Sequence, residues 1–263
     1  MSTALPDLET VCATRYVTPL REGGSLPAIV EASDSGMYVL KFRGAGQGPL
    51  ALVAELIAGQ VGRALGLKVP ELVLMEVDTA LGRNEPDPEI RELLRASVGI
   101  NLGVDYLPGS VTFDTAADRA MADIASETVW FDAFITNVDR TPRNPNLLWW
   151  HKVLYLIDHG AALYFHHNWP SREAMAASRF AAIRDHVLLP WASRLEEADQ
   201  RLRPLLGEDL FARVVAQIPE DWLMPEPGLS ADDRRAGYVE LLTKRLAAAS
   251  FLEEAVRAHA QLV

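Results

Sequence analysis

Between Met37 and Phe42 the chain runs Met-Tyr-Val-Leu-Lys-Phe, apolar or aromatic at every position but Lys41, and the turn formers Ser33-Asp34-Ser35-Gly36 precede it. That pattern predicts a strand with one charge that must be satisfied. From Gly44 to Gly62, nineteen residues hold a single charged side chain, Glu55, among Leu50, Leu52, Val53, Leu56, Ile57 and Val61. Pro49 suits the first turn of a helix and Gly66 its end, so a largely buried helix is expected near 50–65.

Elsewhere the periodicity changes along the chain. Short strand-like runs broken by glycine-rich turns occupy about 14–43, and Lys68 to Val77 reads as the next strand. Asp87 is placed to cap a short helix, with Pro88 at its first position and Glu89 near its N-terminal dipole. Val98 to Leu107 is strand-like and ends at Pro108-Gly109. Leu147 to Trp150 and Val153 to Ile157 are apolar runs separated by His151-Lys152, which predicts a β-hairpin. Beyond about 117 the pattern turns helical, over 117–135, 172–183, 191–202, 209–217 and 230–260, the last with a break.

Composition narrows the classes. The chain has 263 residues, 49% hydrophobic and 23% charged, the composition of a globular protein, and its length suits one domain of two lobes. A net charge of −11 argues against a nucleic-acid footprint and gives no reason to expect an anionic membrane as partner. The single cysteine, Cys12, excludes an internal disulfide, and its neighbours Ala13, Thr14 and Arg15 offer no base for a catalytic thiol. The N-terminus lacks a signal-peptide pattern and no apolar run has the length of a membrane span, so a cytoplasmic location is expected.

The chemistry concentrates between Asp139 and Gly160. Asp139-Arg140-Thr141-Pro142-Arg143-Asn144-Pro145-Asn146 precedes the hairpin and Asp158-His159-Gly160 follows it. In phosphoryl transfer a carboxylate orients the attacking hydroxyl, and an Asn amide and a second carboxylate hold Mg²⁺, a cation that prefers oxygen ligands. Asp139, Asn144 and Asp158 have that order; Asn146 is the alternative to Asn144, which the spacing favours. Lys41 and Glu55 upstream suit a lysine that holds phosphates and a glutamate that holds the lysine. Plain readings exist for each: turn-forming surface loops, an edge-strand lysine with its head in water, and the exposed face of an amphipathic helix. All would have to hold together, in an order that matches a kinase.

Gly23-Gly24-Ser25-Leu26-Pro27, Lys41, Glu55, the Asn137-Val138-Asp139-Arg140 to Asn144 loop and Asp158-His159-Gly160 together resemble the HipA-like kinases, and more closely a short bacterial branch of them, over roughly 20–170. The resemblance implies an α+β, bilobal protein-kinase-like fold, with a β-rich N-lobe over 1–109 and a helical C-lobe over 110–263. It further implies ATP and Mg²⁺ as cofactors and transfer of a phosphoryl group to a Ser or Thr hydroxyl, with a protein as the expected acceptor. Asp139 would be the catalytic base, Asn144 and Asp158 the metal ligands, and Lys41, paired with Glu55, the phosphate contact. Gly23, Gly24 and Ser25 would form the phosphate loop, and Asp105, Tyr106 and Leu107 the hinge that receives adenine.

Departures from the pattern matter. Gly23 already opens the expected phosphate loop, which leaves no room for the extra N-terminal subdomain of full-length HipA toxins, so toxin activity is not carried over. Gly23-Gly24-Ser25 is not Gly-x-Gly-x-x-Gly, and no Ala-Pro-Glu follows Asp158. Two other readings stay open: a pseudokinase-like nucleotide-binding interaction module, and the same fold transferring AMP or acting on a small molecule. His159, His166 and His167 are expected to line a short activation segment rather than a zinc or iron site. Arg140, Arg143 and Lys41 are expected to converge on phosphates. The oligomeric state is left open.

Overall fold

The computed structural model describes residues 7–20, 26–83, 85–224 and 228–262. Gly23, Gly24 and Ser25, expected in the phosphate loop, lie outside them. Strands β1 (Thr10–Pro19), β2 (Ala28–Ala32), β3 (Met37–Lys41), β4 (Leu72–Val77) and β5 (Gly99–Asp105) close into a barrel in the order β1-β2-β3-β5-β4. All neighbours are antiparallel except β1 and β4, which run parallel. The barrel interior is apolar, with Val30, Leu40 and Met75 fully buried. Because β3 pairs with β2 on one side and β5 on the other, with Lys41 opposite Leu102, the edge-strand reading of Lys41 fails.

Helix α1 (Pro49–Ala64) starts on Pro49, and Gly66, at φ +80°, lets the chain leave it. Every residue from Leu52 to Gly62 is buried, Glu55 among them, so the exposed-face reading of Glu55 fails too. One flank meets the barrel closely: a Cβ on Gly59 would lie 2.6 Å from Leu72. The other flank meets the turn at Gln217, whose amide oxygen accepts from Gln60 Nε2 at 3.0 Å. Helix α2 (Pro88–Ala96) is capped as expected, Asp87 accepting from the Glu89 N–H at 2.9 Å.

After β5 the chain becomes mostly helical. Strand β6 (Val111–Thr112) joins the hairpin of β7 (Leu147–Trp150) and β8 (Val153–Leu156) in a three-stranded sheet. The hairpin turn, His151-Lys152, puts both residues at positive φ, 49° and 65°, the two-residue turn whose twist matches paired strands. Helix α3 (Ala122–Ile135) is buried along its length and carries Trp130, Phe131 and Phe134 into the main core. Trp130 meets Phe251 edge to face at 5.4 Å, and Phe134 stacks on Phe211 at 6.0 Å. The remaining helices are α4 (Arg172–Ala176), α5 (Leu195–Leu202), α6 (Glu208–Ala216), α7 (Ala231–Ala248) and α8 (Ser250–Ala260).

Three helices are shorter than the periodicity predicts, each for a local reason. α3 starts at Ala122 rather than 117 because Asp114 and Asp118 tie a turn through their carboxylates. The stretch expected over 172–183 stops at Ala176, where Arg245 takes the carbonyls of Ala176 and Ser178 and Phe180 turns to φ 59°. α5 begins at Leu195 because Leu189-Pro190-Trp191 forms a separate single turn. The break expected in the last helix falls at Ala249, φ 54°. No described helix is long and apolar enough to cross a membrane.

Candidate active site

β3 delivers Lys41 and α1 delivers Glu55 to the same point. Lys41 Nζ donates to Glu55 Oε2 at 2.7 Å and to Asp158 Oδ1 at 2.5 Å. The lysine side chain is 15% exposed, Glu55 2% and Asp158 47%, so the pair is sealed on the glutamate side and open on the aspartate side. Burial alone would lower the lysine, but the charges of Glu55 and Asp158 outweigh it and raise its pKa. Burial likewise pushes Glu55 up, and Lys41, then His159, outweigh it and hold the carboxylate well below its ordinary value. Both groups are charged at neutral pH.

His159 completes this cluster. Its backbone N–H donates to Glu55 Oε2 at 2.9 Å, and its ring Nδ1 lies 3.3 Å from Oε1. The ring is fully buried and meets Phe131 of α3 edge to face at 5.8 Å. His159 therefore buttresses Glu55, and His166 is buried against the Tyr238 hydroxyl at 3.0 Å; of the three histidines His167 is the exposed one. Asp158 itself sits at φ 54°, a left-handed conformation uncommon for residues other than glycine.

The second half of the site follows α3. Thr136, φ 54°, ends the helix, and the chain turns through Asn137 and Val138 to Asp139. Thr141 and Asn144 pair across a tight turn, each N–H donating to the other's carbonyl at 3.1 Å. That turn points the Asn144 amide back, and its Nδ2 donates to Asp139 Oδ2 at 2.8 Å. Partial burial raises the Asp139 pKa; the Asn144 bond opposes the rise, and the Asp158 charge adds to it. Asn144 is exposed, whereas Asn146 is buried at φ 50°.

Arg140 is a correction. It was expected among the phosphate contacts, but its guanidinium is fully buried, donating from Nε to Asp132 Oδ2 at 2.5 Å. Its Nη1 donates to the carbonyls of Asn146 and of Ile157, the latter at 3.2 Å. The arginine after Asp139 thus ties the loop to the strand ends that flank the hairpin, one residue before Asp158. Asp132 also accepts from Asn137 Nδ2 at 3.0 Å and lies 2.8 Å from His186 Nε2. Burial would raise the Asp132 carboxyl, but Arg140 and then His186 hold it well below its ordinary value. Arg143 stays exposed.

The arrangement fits a magnesium nucleotide. A small cleft lined by Lys41, Phe42, Gly48, Ala51, Asp158 and Gly160 opens beside the lysine. Because Nδ2 of Asn144 is turned to Asp139, its amide oxygen is directed away and is available to a cation. Among the described residues no group of three or more His, Cys, Asp or Glu is placed to hold a metal alone, so a cation here needs the amide and phosphate oxygens as partners, as Mg²⁺ commonly does. At the expected hinge, the Asp105 and Tyr106 N–H groups are already used, donating to Glu71 O at 2.8 Å and Met37 O at 3.0 Å.

The same architecture occurs in a kinase. The crystal structure of a Helicobacter pylori proinflammatory kinase, CtkA, matches with a TM-score of 0.57 over 90% of this chain and 95% of that one, at 13% identity, a likeness of fold. This chain belongs to the HipA-like kinase family, whose profile matches residues 14–254, and is therefore a phosphotransferase in the general sense. No curated protein matches it significantly.

Proposed function

We propose that the protein transfers the γ-phosphoryl group of ATP, with Mg²⁺, to a Ser or Thr hydroxyl of a protein. The observation that carries the reading is Lys41 Nζ, bridged between buried Glu55 and accessible Asp158. Two lobes meeting near Gly109 fit this reading, since Val111, just beyond, already pairs with Trp149 of the hairpin sheet. Asp105 to Leu107 would then receive adenine, and with the Asp105 and Tyr106 amides engaged, Leu107 is the residue left to donate. Gly23, Gly24 and Ser25, which lie outside the described residues, are proposed as phosphate contacts.

Lys41 binds phosphate oxygens through the N–H it does not share with the two carboxylates, and Glu55 fixes its position. Asp139 accepts the acceptor hydroxyl's proton as the oxygen–phosphorus bond forms and the bond from phosphorus to the ADP oxygen breaks. Its raised pKa suits it to that task. Asp158 and the Asn144 amide oxygen would hold the metal, which would supply neutralisation of the phosphate charge.

The test is label transfer from ATP carrying label at the γ or, separately, the α phosphate to a cell lysate, with Asp139→Asn as control. Mg²⁺-dependent γ label on a discrete protein, lost in the control, is the expected result. Label from the α phosphate alone would replace phosphorylation by AMP transfer. Binding of ATP without transfer of either label would leave a nucleotide-binding interaction module.

A further inference from the structure

The turn between β4 and α2 and one flank of α2 form a pocket of ≈ 190 Å³, open to solvent and lined by Asp78, Thr79, Gly82, Arg83, Arg91, Leu94 and Arg95. Arg91 and Arg95 are one helical turn apart and so share a face, and Arg83 reaches the same space from the turn. The platform is held from beneath: Ile90 and Leu94, on the flank of α2 next to Arg91 and Arg95, are buried in the barrel core, and Gly82 lies close enough that a Cβ there would approach Leu94 to 3.1 Å.

Charge sorts itself around this helix. The acidic residues Glu89 and Glu92 line a different hollow, with Leu93, Gly44 and Gly46, and neither lines the arginine pocket. Glu85 is turned to the Asp87 N–H, and Arg91 spends one donor on the Glu85 carbonyl at 3.2 Å. Asp78 is the one carboxylate lining the arginine pocket, and it is occupied: it accepts from the Ala80 N–H at 2.8 Å and the Thr79 hydroxyl at 3.1 Å. Those bonds, the Ala80 N–H first, and the charge of Arg83 hold it below its ordinary value. Three arginines therefore line one pocket with a single carboxylate, Asp78, whose charge interacts with that of Arg83, in a chain whose net charge is −11. Like charges brought together on a fixed platform repel, and an anion between them removes the repulsion.

We propose that this pocket binds a phosphate-bearing ligand, with Arg83, Arg91 and Arg95 as its donors. Guanidinium forks match phosphate oxygens with paired charge-assisted hydrogen bonds, which distinguishes this chemistry from a carboxylate or halide held by charge alone. The phosphate can be carried by a phosphorylated residue or by a small phosphorylated molecule. The site is separate from the Lys41 cleft, with which it shares no lining residue. α2 nevertheless touches the segment that joins Lys41 to α1, since Ser97 Oγ accepts from the Gly44 N–H at 3.2 Å.

The experiment is calorimetric titration of the full chain with inorganic phosphate, with a phosphoserine peptide and with the same peptide unphosphorylated. Each is repeated on R91Q/R95Q and on R179Q/R213Q, which removes two exposed arginines elsewhere. Phosphate and phosphopeptide are expected to bind the parent and R179Q/R213Q alike, and to lose about tenfold or more in affinity to R91Q/R95Q at an unchanged melting temperature. Tighter binding of the phosphopeptide than of phosphate would identify a phosphorylated chain as the source; equal binding would identify a small phosphorylated molecule. The proposal is overturned if R91Q/R95Q binds as the parent does, if R179Q/R213Q loses as much, or if no saturable binding appears below about 10 mM.

Discussion

Two clusters in this protein are built to one plan and end differently. In the first, a carboxylate from α1, Glu55, holds a cation, Lys41, and a histidine, His159. In the second, a carboxylate from α3, Asp132, holds a cation, Arg140, and a histidine, His186. Lys41 passes its second hydrogen bond to Asp158, nearly half exposed, whereas Arg140 passes its own to backbone carbonyls in the interior. A lysine is a compact charge with rotatable donors that can change partners, and an arginine fork is suited to fixing several acceptors at once. The same triad therefore opens on a cleft in one place and is closed within the interior in the other.

The difference gives opposite expectations for activity and stability. Asp158→Ala should abolish Mg²⁺-dependent ATP affinity and phosphoryl transfer while leaving the fold intact, because Lys41 keeps Glu55; thermal melting and nucleotide titration read both. A variant that melts far below the parent would show that Asp158 belongs to the architecture. Asp139→Asn should bind ATP normally and lose about 10²–10⁴ in turnover, the range of a missing general base. Retained turnover would remove Asp139 from that role.

In the closed cluster, Asp132→Ala leaves Arg140 buried without its counter-ion, which costs about 3–5 kcal/mol. At roughly 2–4 °C per kcal/mol for a chain of this size, the melting temperature should drop by about 6–20 °C. An unchanged melting temperature would break the comparison between the two clusters. The pH dependence carries the same information. The folded Asp132 pKa lies below that of the unfolded chain, so its stabilisation is complete above an unfolded value of about 3.9 and is lost as pH falls through the folded value. His186, lowered chiefly by burial, destabilises in the same direction once pH falls below an unfolded value of about 6.5. Acid unfolding of Asp132→Asn, followed by circular dichroism, should accordingly be less steep than that of the parent.

What the sequence disclosed follows the same division. Lys41 and Glu55 were legible because each is a lone charge in an apolar run, and burial of a lone charge demands a partner. The hairpin was legible from two apolar runs around a two-residue turn. Asp132 was overlooked although it stands in the same kind of setting, alone within Val129-Trp130-Phe131-Asp132-Ala133-Phe134-Ile135, and the argument that found Glu55 would have found it. Arg140 was misread because an arginine beside a catalytic loop has two uses, phosphate contact and internal clamp, and only the location of Asp132 and of the hairpin carbonyls decides between them. His186 was beyond reach for the opposite reason: it lies 54 residues from Asp132, in a stretch without periodicity, and only the tertiary fold brings it there. Helix starts were misplaced where carboxylates or a proline set up turns of their own, a competition that hydrophobic spacing does not record.

The smallest effect concerns the link between the clusters. The hairpin joins Asn144 and Asn146 to Asp158, and its turn holds His151 and Lys152 at positive φ, where a side chain is disfavoured. Asn-Gly is the pair this turn prefers, so H151N/K152G should stabilise the protein by about 0.5–1 kcal/mol, a rise of a few degrees in melting temperature. Arg140 already fixes both ends of the hairpin through the carbonyls of Asn146 and Ile157, so a more stable turn should leave turnover unchanged. A change in turnover with the gain in stability would mean that the turn moves during catalysis, and that Asp158 is positioned by the hairpin as much as by Lys41.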